Sequence, residues 1–151
     1  MAEFESSITL RNTAETVCEF LLQPQNIQEI SPPHTGLKFT QAPQRLSQGS
    51  QIEFAIVGFG QTQNLVHEIT ALEFPNRFVE EQIVGPLKQW KHEHRIETVE
   101  PGVVQVTDAI QFTPPGGLVG LLMTESRILE TLNEGFEYRY SRMREFLELE
   151  A

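Results

Sequence analysis

Two histidines and one aspartate are the residues of this chain whose types and spacing could do chemistry. His92 and His94 occupy alternate positions in the segment Gln89–Thr98, and Asp108 occupies an equivalent position in Val103–Phe112. Both segments alternate in polarity as half-buried strands do, and residues two apart in a strand share a face. The three side chains are therefore predicted on the apolar faces of their strands, where imidazole and carboxylate groups could handle protons.

A short turn is predicted to place these two strands against each other. Glu100–Gly102 has the composition of a turn, which predicts an antiparallel hairpin whose two apolar faces coincide. One register of this hairpin puts His94 opposite Asp108, and a register shifted by two residues puts His92 there. In both registers the partners lie about 4.5–5.5 Å apart at their Cβ atoms, within reach of a hydrogen bond. We expect a pair because burying the carboxylate alone would cost several kcal/mol.

Three interpretations of this cluster stay open at the level of sequence. The imidazole and carboxylate could satisfy each other within the sheet and have no further role. They could form the polar anchor of an apolar pocket and orient a hydroxyl, carbonyl or carboxylate group of a ligand. They could also be catalytic, with His92, His94 and Asp108 as candidates for general acid–base chemistry in an aldol-type cyclisation or dehydration. No serine or cysteine is placed by the sequence to complete a nucleophilic triad.

A metal site is not expected from this pattern. His-x-His on a strand is the start of the cupin metal motif, but the second half of that motif is absent, and Glu97 points to the opposite face. We therefore predict no metal and no other cofactor. A further histidine, His67, lies on the apolar face of an earlier strand and is interpreted as a satisfied core residue.

The sequence does not decide which face of the strand that starts at Phe78 is inward. Phe78 favours the face that also carries Glu80 and Gln82. Val79 and Ile83 favour the opposite face. The sequence therefore leaves open whether the Glu80 carboxylate is buried.

Composition argues against several classes of partner. The 151 residues suit a single domain over residues 1–151. Asp and Glu total 21 against 11 Lys and Arg, and the net charge of −10 argues against nucleic acid or an anionic membrane as a partner. One cysteine, Cys18, excludes an internal disulfide and a Cys-rich zinc site. No apolar stretch approaches the ~20 residues of a membrane span. The N-terminal residues do not resemble a signal peptide, so we expect a cytoplasmic protein.

The predicted elements are one strand, two short helices, six strands and a long helix. Phe4–Leu10 has the periodicity of a strand, Asn12 or Thr13 can cap a helix that starts at Ala14, and a second short helix is predicted over Asn26–Ile30. Short turns that contain glycine or proline separate the later strands. These connections favour antiparallel neighbours.

The C-terminal part is predicted as one helix of about 30 residues, or roughly 45 Å, from Leu118 almost to the end. Its apolar residues recur at steps of three and four, so one stripe must be buried.

A twisted antiparallel sheet of seven strands curls into a trough, and a straight helix does not fill it. The remaining space is either packed by large side chains or is a ligand cavity. Arg139, Arg142 and Arg144 are expected to interact with the helix dipole.

The segment Gly85–Ile96 resembles the Gly-Pro-x-x-x-Trp-x-His-x-His-x-Phe segment of bacterial SRPBCC proteins, with Ile96 in place of the aromatic residue. Residues 75–79 (Pro-x-Arg-Phe-Val) and 136–139 (Phe-x-Tyr-Arg) fit the same pattern. The order of elements resembles the helix-grip fold of the START-like or SRPBCC superfamily, which includes polyketide cyclases and plant pathogenesis-related proteins. The resemblance covers nearly the whole chain. It implies that a hydrophobic molecule such as a lipid, polyketide or plant hormone is held under the long helix.

We therefore expect an α+β helix-grip fold, in which a seven-stranded curved antiparallel sheet wraps around a long C-terminal helix and two short helices follow the first strand. The expected function is binding of a small, mostly hydrophobic ligand. The alternatives are an enzyme of the polyketide cyclase or aromatase type and a non-enzymatic protein-interaction module, which predicts a solidly packed sheet and an exposed apolar patch. The expected ligand-binding residues are Phe54, Ile56, Phe78, Trp90, His92, His94, Asp108, Ile110, Phe112, Leu118, Leu121 and Leu122.

Overall fold

The computed structural model describes residues 1–150, which form seven strands and four α-helices. The strands are β1 (Ala2–Arg11), β2 (Lys38–Gln41), β3 (Gln51–Gly58), β4 (Gln61–Glu73), β5 (Arg77–Val84), β6 (Gln89–Glu100) and β7 (Val103–Thr113). The helices are α1 (Ala14–Leu21), α2 (Pro24–Glu29), α3 (Gly117–Leu122) and α4 (Glu125–Leu147), and a 3₁₀ turn spans Pro33–Thr35.

All seven strands belong to one antiparallel sheet in the order β1-β7-β6-β5-β4-β3-β2. Strands β2 to β6 each pair with the next strand along the chain, as the short turns predict, and β1 pairs with β7. The two short helices follow β1, and the long helix comes last. The predicted helix-grip architecture is confirmed.

Two side chains at the end of β1 fix the first helix and the last one. Thr13 caps α1, since its hydroxyl oxygen accepts a hydrogen bond of 3.2 Å from the Thr16 N–H. Asn12, the other candidate cap, is buried and donates from its side-chain amide to the Leu147 carbonyl at 2.6 Å. The C-terminal end of α4 is thereby tied to the junction between β1 and α1.

Helix α4 packs on the inner face of the sheet through two apolar clusters. Near its C-terminal end, Met143 and Leu147 are buried in a cluster with Leu10 and residues of α1. Closer to its N-terminal end, Phe136 is buried in a second cluster with Phe112. This face of the helix is the apolar stripe that the sequence predicts.

The prediction of one continuous C-terminal helix from Leu118 is wrong, because the chain breaks at Met123 and Thr124. Thr124 has extended backbone angles, and its hydroxyl oxygen accepts a hydrogen bond of 3.3 Å from the Arg127 N–H, which caps α4. Met123 is only 6% exposed. A side chain capable of capping, followed by Glu125 in the first helical turn, is the sequence signal for this start.

The inward face of β5 carries Phe78 and Glu80, which lie opposite the buried His94 and His92 of β6. The pairing of β5 with β4 is less regular. The register shifts between Val66 and His67 and between Ile69 and Ala71. Bulges of this kind bend and twist a strand, so the strict alternation of faces does not hold through the whole pair. Phe78 and Val79 are both buried, whereas Ile83 is 52% exposed. Glu80 and Gln82, whose orientation the sequence leaves open, both line the space between sheet and helix.

None of the helices formed by the described residues is long and apolar enough to cross a membrane.

Candidate functional site

A cavity of about 320 Å³ lies between the inner face of β3–β6 and helix α4. Its wall is mostly apolar. On the sheet side it includes Phe54, Ile56 and Leu65, and on the helix side it includes Leu132 and Phe136. This volume is at the lower end of the range for small-molecule sites in proteins.

The structure divides the expected ligand-binding residues into three sets. Phe54, Ile56, Trp90 and His92 line the cavity. The second set is buried in the core and is not part of the cavity wall; it consists of Phe78, His94, Asp108, Ile110 and Phe112. Within that set, His94 and Asp108 contact residues that do line the cavity, so they lie directly behind its wall.

The third set consists of the α3 leucines, which lie outside the cavity. Leu118 and Leu121 are 82% and 73% exposed. Leu122 lines an adjoining groove of about 270 Å³ with Phe59 and Met123, which also line the cavity. The expectation for these leucines assumed a continuous helix. Because the helix breaks after α3, their apolar side is not continuous with the inward stripe of α4.

Asp108 is the centre of a buried polar cluster. Its carboxylate accepts a hydrogen bond of 2.7 Å from the His92 Nε2 and another of 2.7 Å from the Tyr140 hydroxyl. His94 is its cross-strand partner in the ladder, and the His94 Nδ1 lies 3.3 Å from the same carboxylate. The two registers considered from the sequence are therefore resolved in favour of His94, yet both imidazoles contact Asp108.

Glu80 is the second carboxylate of this cluster. It accepts a hydrogen bond of 2.7 Å from the His67 Nδ1 and lies 3.3 Å from the His94 Nε2. His94 thus lies between the two carboxylates, with its Nε2 bonded to Glu80 and its Nδ1 close to Asp108 without a hydrogen bond. The polar cluster comprises His67, Glu80, His92, His94, Asp108 and Tyr140.

The shifted pKa values in the polar cluster indicate which of its members are charged. Burial alone would raise the pKa values of Glu80 and Asp108, but hydrogen bonds from the histidines outweigh burial and hold both pKa values well below the usual range. Burial works against a charged His94, yet its contacts with the two carboxylates raise its pKa. Burial and the neighbouring His94 lower the pKa of His92 to about 4. Both carboxylates are therefore charged near neutral pH, His92 is neutral, and the surroundings of His94 favour its charged form.

Ring stacking holds the two central histidines in place. The His94 ring lies between Phe78, at 4.0 Å between centroids, and His92, at 3.7 Å.

Glu80, His92 and His94 offer ligand atoms within 4.8 Å of one another, which is close enough to surround a metal ion. However, the two stacked rings are only 23° from parallel, so their in-plane lone pairs do not converge on one point. The geometry therefore favours the hydrogen-bonded cluster over a metal site.

Several polar atoms of the cavity-lining residues are buried without a partner among the described residues. They are the His67 Nε2, the Gln82 Oε1, the Trp90 Nε1 and, on helix α4, the Arg139 Nε and Nη2. Sequence reasoning missed two of these residues: it took His67 for a satisfied core residue and assigned Arg139 to the helix dipole. The signal for Arg139 was its spacing of three residues from Phe136, which places it near the buried stripe.

Solved structures resemble this fold closely, although sequence comparisons identify nothing. No protein-family model and no curated protein matches the chain. Protein CV1439 from Chromobacterium violaceum is 12% identical and superposes with a TM-score of 0.77 over 99% of this chain and 100% of that one. Major latex-like protein 151 from Panax ginseng is 14% identical, with a TM-score of 0.65 over 93% and 95% of the two chains. The Zhui aromatase/cyclase from Streptomyces sp. R1128 is 19% identical, with a TM-score of 0.67 over 93% and 87%.

The chain is therefore a helix-grip protein. It shares the fold of these solved structures, and this is the fold that the sequence resemblance implies. At these identities the likeness establishes the fold, and the function has to be argued from the residues of this chain.

Proposed function

We propose that this protein binds a small, mostly apolar molecule in the cavity between β3–β6 and helix α4. The observation that carries the proposal is the combination of an apolar wall with buried polar atoms that have no partner among residues 1–150. Phe54, Ile56 and Leu132 supply apolar contact area. Trp90 and Gln82 supply an unused donor and an unused acceptor at the same cavity.

The unpartnered atoms argue against an incidental gap in the packing. Empty cavities in proteins are characteristically apolar, whereas a buried donor or acceptor without a partner costs roughly 1–3 kcal/mol. An apolar wall with a few convergent polar groups is the usual composition of a ligand site. A ligand that has an apolar body and a polar end would satisfy both parts of this wall.

The first test is a search for bound molecules. Native mass spectrometry of the purified protein, with thermal-shift measurements against fatty acids, flavonoids and sterols, should reveal a bound species or a rise in melting temperature for one of these classes. No bound species and no shift across the whole panel would contradict the proposal.

A substitution that fills the cavity should remove binding without harming the fold. Leu132→Trp places an indole in the cavity from helix α4, so we expect affinity for the best ligand of the panel to fall by about tenfold or more. If the space is open, stability should change little, whereas overpacking a filled core costs about 1–3 kcal/mol. Glu137→Trp, at an exposed position of the same helix, is the control. Unchanged affinity in Leu132→Trp would place binding elsewhere.

A second candidate function, catalysis of the cyclase type, is favoured by the geometry of His67. The ionised Glu80 can only accept a hydrogen bond, so the His67 Nδ1 carries the proton of their 2.7 Å contact. The Nε2 of a neutral His67 then has a free lone pair, and the residue lines the cavity. A general base held in this way could remove a proton from a carbon next to a ligand carbonyl and allow ring closure.

The catalytic alternative predicts turnover of a short poly-β-ketone mimic by the purified protein. His67→Ala should then reduce the rate by about 10²-fold or more, since general bases commonly contribute that much. His34→Ala, at an exposed histidine outside the cavity wall, is the control. No turnover, or an unchanged rate in His67→Ala, would remove this candidate and leave the binding proposal intact.

A further inference from the structure

Helix α4 contributes one cation to the cavity, Arg139, which lies near enough to Asp108 to help lower the pKa of that carboxyl but forms no ion pair with any described residue. Of the described residues that line the cavity, Arg139 is the one with a permanent positive charge. None of the ion pairs formed by the described residues includes it, although the other arginines of α4 from Arg142 onward pair with glutamates. Its guanidinium lies 5.4 Å from the centroid of the Phe136 ring, which holds it against the cavity wall.

The two unpartnered nitrogens of Arg139 form one edge of the guanidinium. The Nε–H and the Nη2–H are parallel donors on that edge, and both atoms are buried without an acceptor. Two parallel donors of this kind match the two oxygens of a carboxylate, which is the reason arginine recognises carboxylates in a bidentate manner. A single carbonyl or hydroxyl oxygen could accept from both donors only by sharing its two lone pairs, without the parallel and charge-assisted geometry of a carboxylate.

The carboxylates of the polar cluster do not use this edge. Glu80 is bonded to His67 and lies within 3.3 Å of His94, and Asp108 is bonded to His92 and Tyr140. Their charges are stabilised by these neighbours. The free edge of Arg139 is thus a donor pair that no described residue of the chain uses.

We propose that the ligand is an apolar monocarboxylate whose carboxylate binds the Nε and Nη2 edge of Arg139. This inference rests on the proposed binding function and specifies its ligand class. The unused Trp90 Nε1–H is a further donor at the same cavity. The apolar part of the ligand lies against the wall formed by Phe54, Ile56 and Leu132.

The test compares carboxylates with neutral molecules of the same shape. Calorimetric titration at pH 7 uses two pairs: decanoate with decanamide, and 2-naphthylacetate with 2-naphthylacetamide. Hydrogen bonds to charged groups contribute about 1.5–3 kcal/mol. The carboxylate of at least one pair should therefore bind about tenfold or more tightly than its amide.

Arg139→Gln should abolish that preference. The affinity for the carboxylate should fall to that for the amide, while the affinity for the amide stays within about threefold of its wild-type value. Arg144→Gln, an exposed arginine on the same helix, is the control and should leave the preference unchanged. Arg139→Lys keeps the charge but loses the parallel donors, so it should retain only part of the preference for the carboxylate. This variant replaces Arg139→Gln in the test if Arg139→Gln does not fold.

The outcomes separate this inference from the proposed function. Equal binding of acid and amide by the wild type, or a preference that persists in Arg139→Gln, would overturn the carboxylate assignment and leave a binding cavity. Binding of none of the four probes would count against the assignment and against the proposed cavity function together.

Discussion

Replacing Asp108 by asparagine is expected to lower the free energy of unfolding by about 3–5 kcal/mol, the usual cost of removing one partner from a buried charged network. The carboxylate accepts hydrogen bonds from His92 and Tyr140 and lies 3.3 Å from His94, and it is only 1% exposed. Without its charge, the protonated His94 would lose one of two compensating anions. Each kcal/mol shifts the melting temperature of a chain of this size by roughly 2–4 °C, so the melting temperature of the variant should fall by about 6–20 °C.

Urea denaturation and scanning calorimetry of Asp108→Asn measure this loss. The matched control is Glu97→Gln, which removes the charge of an exposed carboxylate on β6 and should change stability by no more than about 0.5 kcal/mol. A loss below about 1 kcal/mol in Asp108→Asn would contradict the charge assignments of the polar cluster.

The stability of the protein should be greatest near pH 6.5 and fall on both sides, because the two central histidines shift in opposite directions. The pKa of His92 in the folded state is lowered to about 4, so between pH 6.5 and 4 the unfolded chain binds more protons at this residue. Stability is therefore lost as the pH falls through that interval. Each histidine changes the free energy of unfolding by at most about 1.4 kcal/mol per pH unit.

The alkaline side of this profile comes from His94. Its pKa is raised in the folded state, so its contribution is fully present below the unfolded pKa of about 6.5 and is lost as the pH rises through the folded value. Glu80 and Asp108 have lowered pKa values and contribute stability that is lost only as the pH falls through those values, below the interval of His92.

Denaturation measured from pH 4 to 9 tests this profile. His92→Gln should flatten the acidic side between pH 6.5 and 4 and leave the alkaline side in place. An unchanged acidic side in this variant, or a wild-type stability that rises steadily from pH 6.5 to 9, would contradict the opposite shifts of the two histidines.

Much of the fold and part of the candidate site could be predicted because they depend on local patterns. Alternation in β6 and β7 predicted that His92, His94 and Asp108 are inward, and all three are buried. The register between the two strands was ambiguous because a shift of two residues keeps every side chain on its face. The structure shows why the ambiguity matters little, since the stacked imidazoles both reach the same carboxylate.

The rest of the site depends on three-dimensional features that leave weak traces in the sequence. Glu80 is inward because it lies two residues from the buried Phe78 and opposite the inward His92, but the equally buried Val79 made the inward face of this strand ambiguous in the sequence. Arg139 lies in a helix rich in charged residues, where solvent exposure is the ordinary outcome. The break before α4 arises from one capping threonine, Thr124, whose effect competes with an otherwise continuous apolar period.

The alternative function, a non-enzymatic protein-interaction module, predicts two structural features that can be compared with the structure. It requires a solidly packed sheet, whereas a cavity of about 320 Å³ separates the sheet from α4. It also requires an exposed apolar patch, and Leu118 and Leu121 of α3 are strongly exposed. The cavity makes ligand binding the better supported function.

A crystal structure of the protein with decanoate or 2-naphthylacetate tests the central claim most directly. We predict electron density for the ligand between β3–β6 and helix α4, with its apolar part against Phe54 and Leu132 and its oxygens facing Arg139. Side chains of the sheet and of α4 that meet and fill this space, with no density for a small molecule, would contradict the claim.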